Sequence, residues 1–263
     1  MVRIALRSCW WMMVAVIAAT AFAQGEGWGE EEENWKRPEK GHPGFFAAGG
    51  MFVQLYQPDF SVVNQEIKKM GIPELRETVP AIGGYGYGSY LKWRIGGFGF
   101  GGTSARSGTV SDVTVGGDTV SLTREAAVTM GGGGLFVGYR ITLPKSFEVE
   151  PSAWIGLGRM AIYLRQFRNN ADWSHIWSGY QHYASTNGAD HMETTMSATF
   201  SYVQPTVAVR YYIQRWLAVA VSGQYIVPLA QPKSWRIGGN NVANGKSVDI
   251  TSPGVSLIIS FGV

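Results

Sequence analysis

The chain has 263 residues and a formal net charge of +3, and charged residues make up only 16% of it. So small a charge excess excludes a polyanion-binding surface, and so apolar a composition excludes a largely disordered chain. Glycine is the outlier at 35 residues, Phe, Trp and Tyr together reach 13%, and the single cysteine, Cys9, excludes a disulfide framework.

Arg3 and Arg7 precede an apolar run from Cys9 to Thr20, and Ala21-Phe22-Ala23 supplies a small-x-small cleavage pattern before Gln24. This spacing predicts a secretory signal peptide over 1–23, since the run falls short of the roughly 20 apolar residues that a bilayer core demands. Cys9 lies ahead of the apolar run rather than at the cleavage point, which argues against a lipid anchor. No thiol is left in the mature chain for a disulfide, a metal or a nucleophile, and neither a cofactor nor a metal is expected. Residues 24–43 contain Glu30 to Glu33 in a row and almost no aliphatic side chains, and read as a flexible acidic periplasmic leader. Trp28 and Trp35 give that leader an alternative use, docking a periplasmic partner.

From residue 44 onward the pattern is β. A first strand covers 44–57. Asp59 to Met70 then reads as a short helix in the first long loop, capped by Asp59, with Phe60, Val63, Ile67 and Met70 as its apolar stripe and Gly71 and Pro73 ending it. That stripe packs either on the barrel rim or at the membrane interface. Strands 79–91 and 94–105 join at a tight turn, Lys92-Trp93, and a loop follows over 106–118. Strand 119–143 turns at Pro144-Lys145-Ser146 into strand 146–167, and after the loop 168–192 strand 193–214 turns at Gln214-Arg215 into strand 216–229. A last strand covers 248–263. Period-2 alternation across two- or three-residue turns is a hairpin signal, and strands near ten residues match the 9–11 that cross a bilayer. Short turns near 92, 145 and 215 alternate with long loops at 58–78, 106–118, 168–192 and 230–247.

These elements predict an all-β fold: an eight-stranded antiparallel up-and-down transmembrane β-barrel over 44–263. Parity decides between a soluble and a membrane barrel. One face is Val, Leu, Ile and aromatic; the other carries Arg140, Glu148, Glu150, Gln204, Thr206, Arg210, Ser222, Gln224, Ser256 and Ser260 among Gly and Ala. A lumen of eight strands holds only side chains, so the polar face belongs inside and the apolar face outside, in lipid. A secreted lipocalin-like carrier would need the reverse.

The last strand alternates Val255, Leu257, Ile259, Phe261 and Val263 with Gly254, Ser256, Ser260 and Gly262; Ile258 departs from the polar parity. It resembles the C-terminal targeting strand of bacterial outer-membrane proteins, although those usually end in Phe or Trp rather than Val. The architecture is similar to the small outer-membrane barrels of the OmpA/OmpX/OmpW type. That resemblance implies a Gram-negative outer-membrane location, contact with outer-membrane lipids, and handling by the barrel-assembly machinery through 255–263. It also implies a structural, surface-binding or narrow-pore, porin-like role.

Three groups of residues are candidate sites. Arg140, Glu148, Glu150 and Arg210 form a lumen charge network, with Arg140 and Glu148 meeting across the 145 turn, which either plugs the lumen or gates a narrow pore. Trp173, His175, Trp177, Tyr180, His182 and His191 mark an external recognition loop with no compact metal spacing. Tyr90, Trp93, Tyr139, Phe147, Tyr211, Trp216 and Phe261 cluster near the short turns or the C-terminus as an interfacial aromatic girdle. No catalytic residues stand out, so no enzyme is expected; a lipid hydrolase or acyltransferase would need a Ser/His pair at the outer rim.

Overall fold

The computed structural model describes residues 46–115, 118–144, 146–168, 191–214 and 216–262. The expected signal peptide and leader lie outside these residues, as does most of the 168–192 loop. Eight strands form the barrel: β1 (Phe46–Tyr56), β2 (Val79–Tyr90), β3 (Trp93–Val115), β4 (Asp118–Tyr139), β5 (Phe147–Arg168), β6 (His191–Gln214), β7 (Leu217–Ala230) and β8 (Ser252–Phe261). Each pairs antiparallel with the next, and β1 pairs with β8, so the ring closes without a free edge. Two-residue segments at Ile141–Thr142, Arg236–Ile237 and Asn240–Asn241 add short pairings at the ends.

The strands are of two heights. β1, β2, β7 and β8 have 11, 12, 14 and 10 residues, whereas β3, β4, β5 and β6 have 23, 22, 22 and 24. This corrects the loop expected at 106–118, because β3 and β4 stay paired out to Val115 and Asp118. The physical reason is in the residues: Thr109, Val110, Val113, Thr114 and Val115 are β-branched, a side-chain shape that favours strand. The last strand also begins later than expected, at Ser252, leaving Val248 and Ile250 as buried loop residues.

A helix, α1 (Ser61–Lys69), lies in the first loop as the sequence predicts. Asp59 Oδ1 accepts the Ser61 amide at 2.8 Å, and Arg124 of β4 donates to the Met70 carbonyl at 2.9 Å, a cation at the helix C-terminus. Phe60, Val63 and Ile67 are buried with Ile72 and Leu75 from the same loop and Trp235, Val248 and Ile250 from the last one. Burying each such side chain contributes about 1.5–3 kcal/mol. They cover the inward side of the tall strands, where Ala126, Val128, Met160, Ile162 and Ala198 are buried. The helix therefore lies across the long-loop end of the barrel, not on the lipid side.

Candidate functional site

Two surfaces of the barrel carry chemistry: the lumen and the outer wall. In the lumen, the short-turn end holds a raft of four buried charges. Glu148 and Glu150 reach inward from β5, Arg210 from β6 and Arg94 from β3. Arg94 Nη1 donates to both carboxylates, Arg210 Nη2 lies 3.2 Å from Glu150, and Arg210 Nη1 lies 3.5 Å from Glu148. Gly138 of β4 makes this possible: a Cβ there would stand 2.9 Å from a Glu150 oxygen, so the glycine leaves the carboxylate room to cross β4. Tyr212 accepts from Arg94 at 3.0 Å and donates to Glu148 at 2.9 Å, while the Tyr87 ring lies under both guanidiniums, 5.0 Å from Arg94 and 5.9 Å from Arg210. Two cations thus balance two carboxylates, which is the condition for burying charges that would each cost several kcal/mol alone.

Of the four charges expected here, Glu148, Glu150 and Arg210 are buried together, and Arg140 meets Glu148 from the rim. Arg140 follows the end of β4 with its side chain 28% exposed, its Nε is 3.8 Å from Glu148, and its own hydrogen bonds go to the β2–β3 turn at Leu91 and Lys92. The central cation is Arg94, which the sequence reading missed. Its signal was parity: Arg94 shares the inward face of β3 with Phe98 and Phe100, and the aromatics disguise that face as apolar.

The lumen is also less polar than expected. Above the raft, Phe52, Tyr85, Tyr87, Phe98, Phe136 and Trp154 pack on one another, with centroid separations such as 4.4 Å for Phe98–Trp154 and 5.0 Å for Phe136–Trp154. Opposite them, β1 and β6–β8 supply the polar set. Gln224 donates to Gln54 at 3.1 Å, Ser256 to Gln224 at 3.1 Å and Tyr56 to Gln204 at 3.2 Å. Ile258, which breaks the polar parity, is buried opposite Phe52. Raft, aromatic stack and helix fill the interior in succession from one end to the other.

The outer wall is apolar in a band. Ile82, Ile95, Leu135, Ile155 and Leu157 are 58–72% exposed, and Val207, Val221, Val255 and Leu257 continue the band around the ring. At its short-turn border, Trp93 lies 5.1 Å from Tyr139 and Phe147 5.0 Å from Tyr211, on the outward parity with Tyr90, and Trp216, exposed just before β7, lies 6.5 Å from Phe261. From Phe147 to Leu157 the wall climbs about 25 Å, ten steps of about 3.3 Å at a tilt of about 40°. Beyond Leu157, β5 continues to Arg168, and the outward face turns polar with Arg159, Arg165, Thr199 and Glu193. A closed antiparallel ring, an apolar band of membrane height, short turns at one end and tall strands at the other make this an outer-membrane β-barrel.

The recognition-loop residues Trp173, His175, Trp177, Tyr180 and His182 lie outside the described residues; His191 opens β6 opposite Phe167. Among the described residues no group of His, Cys, Asp and Glu has the arrangement of a metal site.

A scan of family models finds no match for the sequence, and neither does a search of curated proteins. Solved structures give distant likenesses. Ail, the attachment invasion locus protein of Yersinia pestis, matches at 9% identity and a TM-score of 0.37, over 83% of this chain and 96% of that one. Neisserial surface protein A matches at 7% and 0.35, over 83% and 97%. The outer membrane protease OmpT of Escherichia coli matches at 9% and 0.33, over 84% and 97%. The barrel assignment stands on the strand register and the exposure pattern of this chain.

Proposed function

We propose that this is a non-conducting, non-enzymatic surface barrel whose working part is the sheet it lifts clear of the membrane. One observation carries this reading. A bilayer is crossed by strands of about 9–11 residues, and β3–β6 have 22–24. The surplus is ordered sheet, backed by α1, and its outward face is polar. An extended platform of this kind serves contact with something outside the cell, and the expected recognition-loop residues fall in the chain between β5 and β6.

The filled lumen supports the same reading against a narrow pore. Arg94, Glu148 and Arg210 have side chains 0–2% exposed, and the aromatic stack and α1 lie above them in series. A solute would have to displace all three layers.

Two measurements test the proposal. The full chain, refolded and inserted into planar lipid bilayers, is expected to show no discrete conductance steps; well-defined steps would return the protein to the pore class. A thiol-reactive impermeant dye is expected to label Thr109→Cys on intact cells, and protection there would turn the tall strands inward and end the surface reading.

A further inference from the structure

Just past the apolar band, the outer face of β4–β6 changes chemistry in a fixed order. Leu157, 72% exposed, is followed on the same outward parity by Arg159, Ala161, Tyr163 and Arg165. Arg159 Nη2 donates to Ser197 Oγ at 2.6 Å, and Ser197 is the ladder partner of Ala161, so the guanidinium leans away from the band toward the next tier. Among the described residues no carboxylate pairs with Arg159, whereas Arg165 is held 3.5 Å from Glu193. Directly above lies a groove of about 340 Å³ lined by Glu125, Ala127, Thr129, Tyr163 and Arg165.

That groove is too polar for an acyl chain and offers what a sugar ring takes: an aromatic flank from Tyr163, with a hydroxyl, a carboxylate and a guanidinium around it. Its height selects the occupant. A lipid phosphate sits at the edge of the hydrocarbon, where Arg159 stands, and sugars attached to it sit farther out, at the groove. Arg and phosphate form strong charge-assisted hydrogen bonds. Gly131 is the ladder partner of Arg159, and Gly133 and Gly99 continue toward the mid-membrane, leaving a strip without side chains beside the exposed Leu157 where acyl chains of the same molecule can lie.

We propose that this face binds a phosphorylated glycolipid of the outer leaflet, with its phosphate on Arg159 and a sugar against Tyr163. The proposal rests on the reading that the tall strands face outward. A lipid so held would fix the barrel's depth and orient the projecting sheet.

The test uses the full chain refolded in detergent. It is mixed separately with a bis-phosphorylated glucosamine-disaccharide lipid, with its dephosphorylated form and with phosphatidylglycerol, and retained lipid is counted by native mass spectrometry. The phosphorylated glycolipid is expected to bind at least about tenfold better than either other lipid, the scale of one charge-assisted hydrogen bond. Arg159→Gln is expected to remove that preference, Arg159→Lys to restore part of it, and Tyr163→Ala to weaken both glycolipids. Equal retention of phosphatidylglycerol would reduce the face to a general anionic-lipid contact, and undiminished binding by Arg159→Gln would put the lipid elsewhere; either result overturns the proposal. A mobility shift on boiling verifies that each variant has folded. Cell-surface labelling of Thr109→Cys reads orientation separately, because binding in detergent does not depend on which way the barrel was inserted.

Discussion

Glu148 and Arg210 are direct ladder partners across β5 and β6, with charged atoms 3.5 Å apart and both side chains 2% exposed. Their pairing is completed from across the lumen by Arg94, which joins three strands that are not all neighbours: β3, β5 and, through Tyr212, β6.

Arg94→Met leaves two buried carboxylates facing one cation. Breaking a buried ion pair from one side costs about 3–5 kcal/mol, to be seen as a lowered urea midpoint of the refolded barrel. Adding Glu150→Gln restores one-to-one charge balance and is expected to recover at least half of the loss. Equal stability of wild type and Arg94→Met would mean that the raft does not hold the barrel.

Two glycines on opposite faces differ in the room around them. At Gly134, facing the lumen, a Cβ would lie 2.6 Å from the Gly156 Cα, while at Gly97, facing lipid, its nearest neighbour would be 3.4 Å away. Gly134→Ala is expected to cost about 1–3 kcal/mol through overpacking. Gly97→Ala is expected to be neutral or to stabilise by about 0.4–1 kcal/mol by restricting the unfolded chain. Heat-modifiability and urea midpoints of the two variants test the contrast.

Lipid contact is tested on β6. Val207, 46% exposed, sits midway up the apolar band, and Thr199 lies above it on the same face. Val207→Arg is expected to cost about 2–4 kcal/mol in bilayers and Thr199→Arg about 0–1, following the depth dependence of charges on barrel walls. A wall facing water would tolerate both.

The helix is tethered by Glu66, which bonds Lys69 at 2.7 Å and Lys246 at 2.9 Å, and these hydrogen bonds hold its pKa down at about 2. A carboxyl lowered on folding stabilises the fold above its unfolded value, near 4.3, and loses that contribution as pH falls toward the folded value. The amide-exchange protection factor of α1, taken relative to the intrinsic rate at each pH, is therefore expected to stay constant from pH 7 to 5 and to fall below about 4. Glu66→Gln is expected to remove the pH dependence. The salt bridges are exposed, so high salt weakens the effect.

Where one face of a strand meets lipid and the other a polar interior, alternation made the structure legible. β5, β6, β7 and β8 follow the expected parity, and Gln204, Thr206, Ser222, Gln224, Ser256 and Ser260 are all buried. Legibility fell where both faces carry glycine and aromatics. In β2 and β3, Gly83 and Gly96 face inward only because Phe52 and Phe136 fill the space a Cβ would take. That exchange of bulk between strands distant in sequence leaves no periodic trace, and it hid Arg94. The extension of β3 past residue 105 was missed for a different reason: beyond the membrane the outward face turns polar, so the apolar alternation that marks a membrane strand ends while the β-branched ladder continues to Val115.

The ladder joining the chain's two ends has a mechanical consequence. β1 and β8 pair from Gly49–Phe261 to Tyr56–Gly254, eight positions, against twenty-one between β3 and β4. Hydrogen bonds in a ladder share a lateral load, so the seam with the fewest rungs yields first. The barrel therefore has a built-in clasp: under tension it parts between its first and last strands while the tall sheet remains whole.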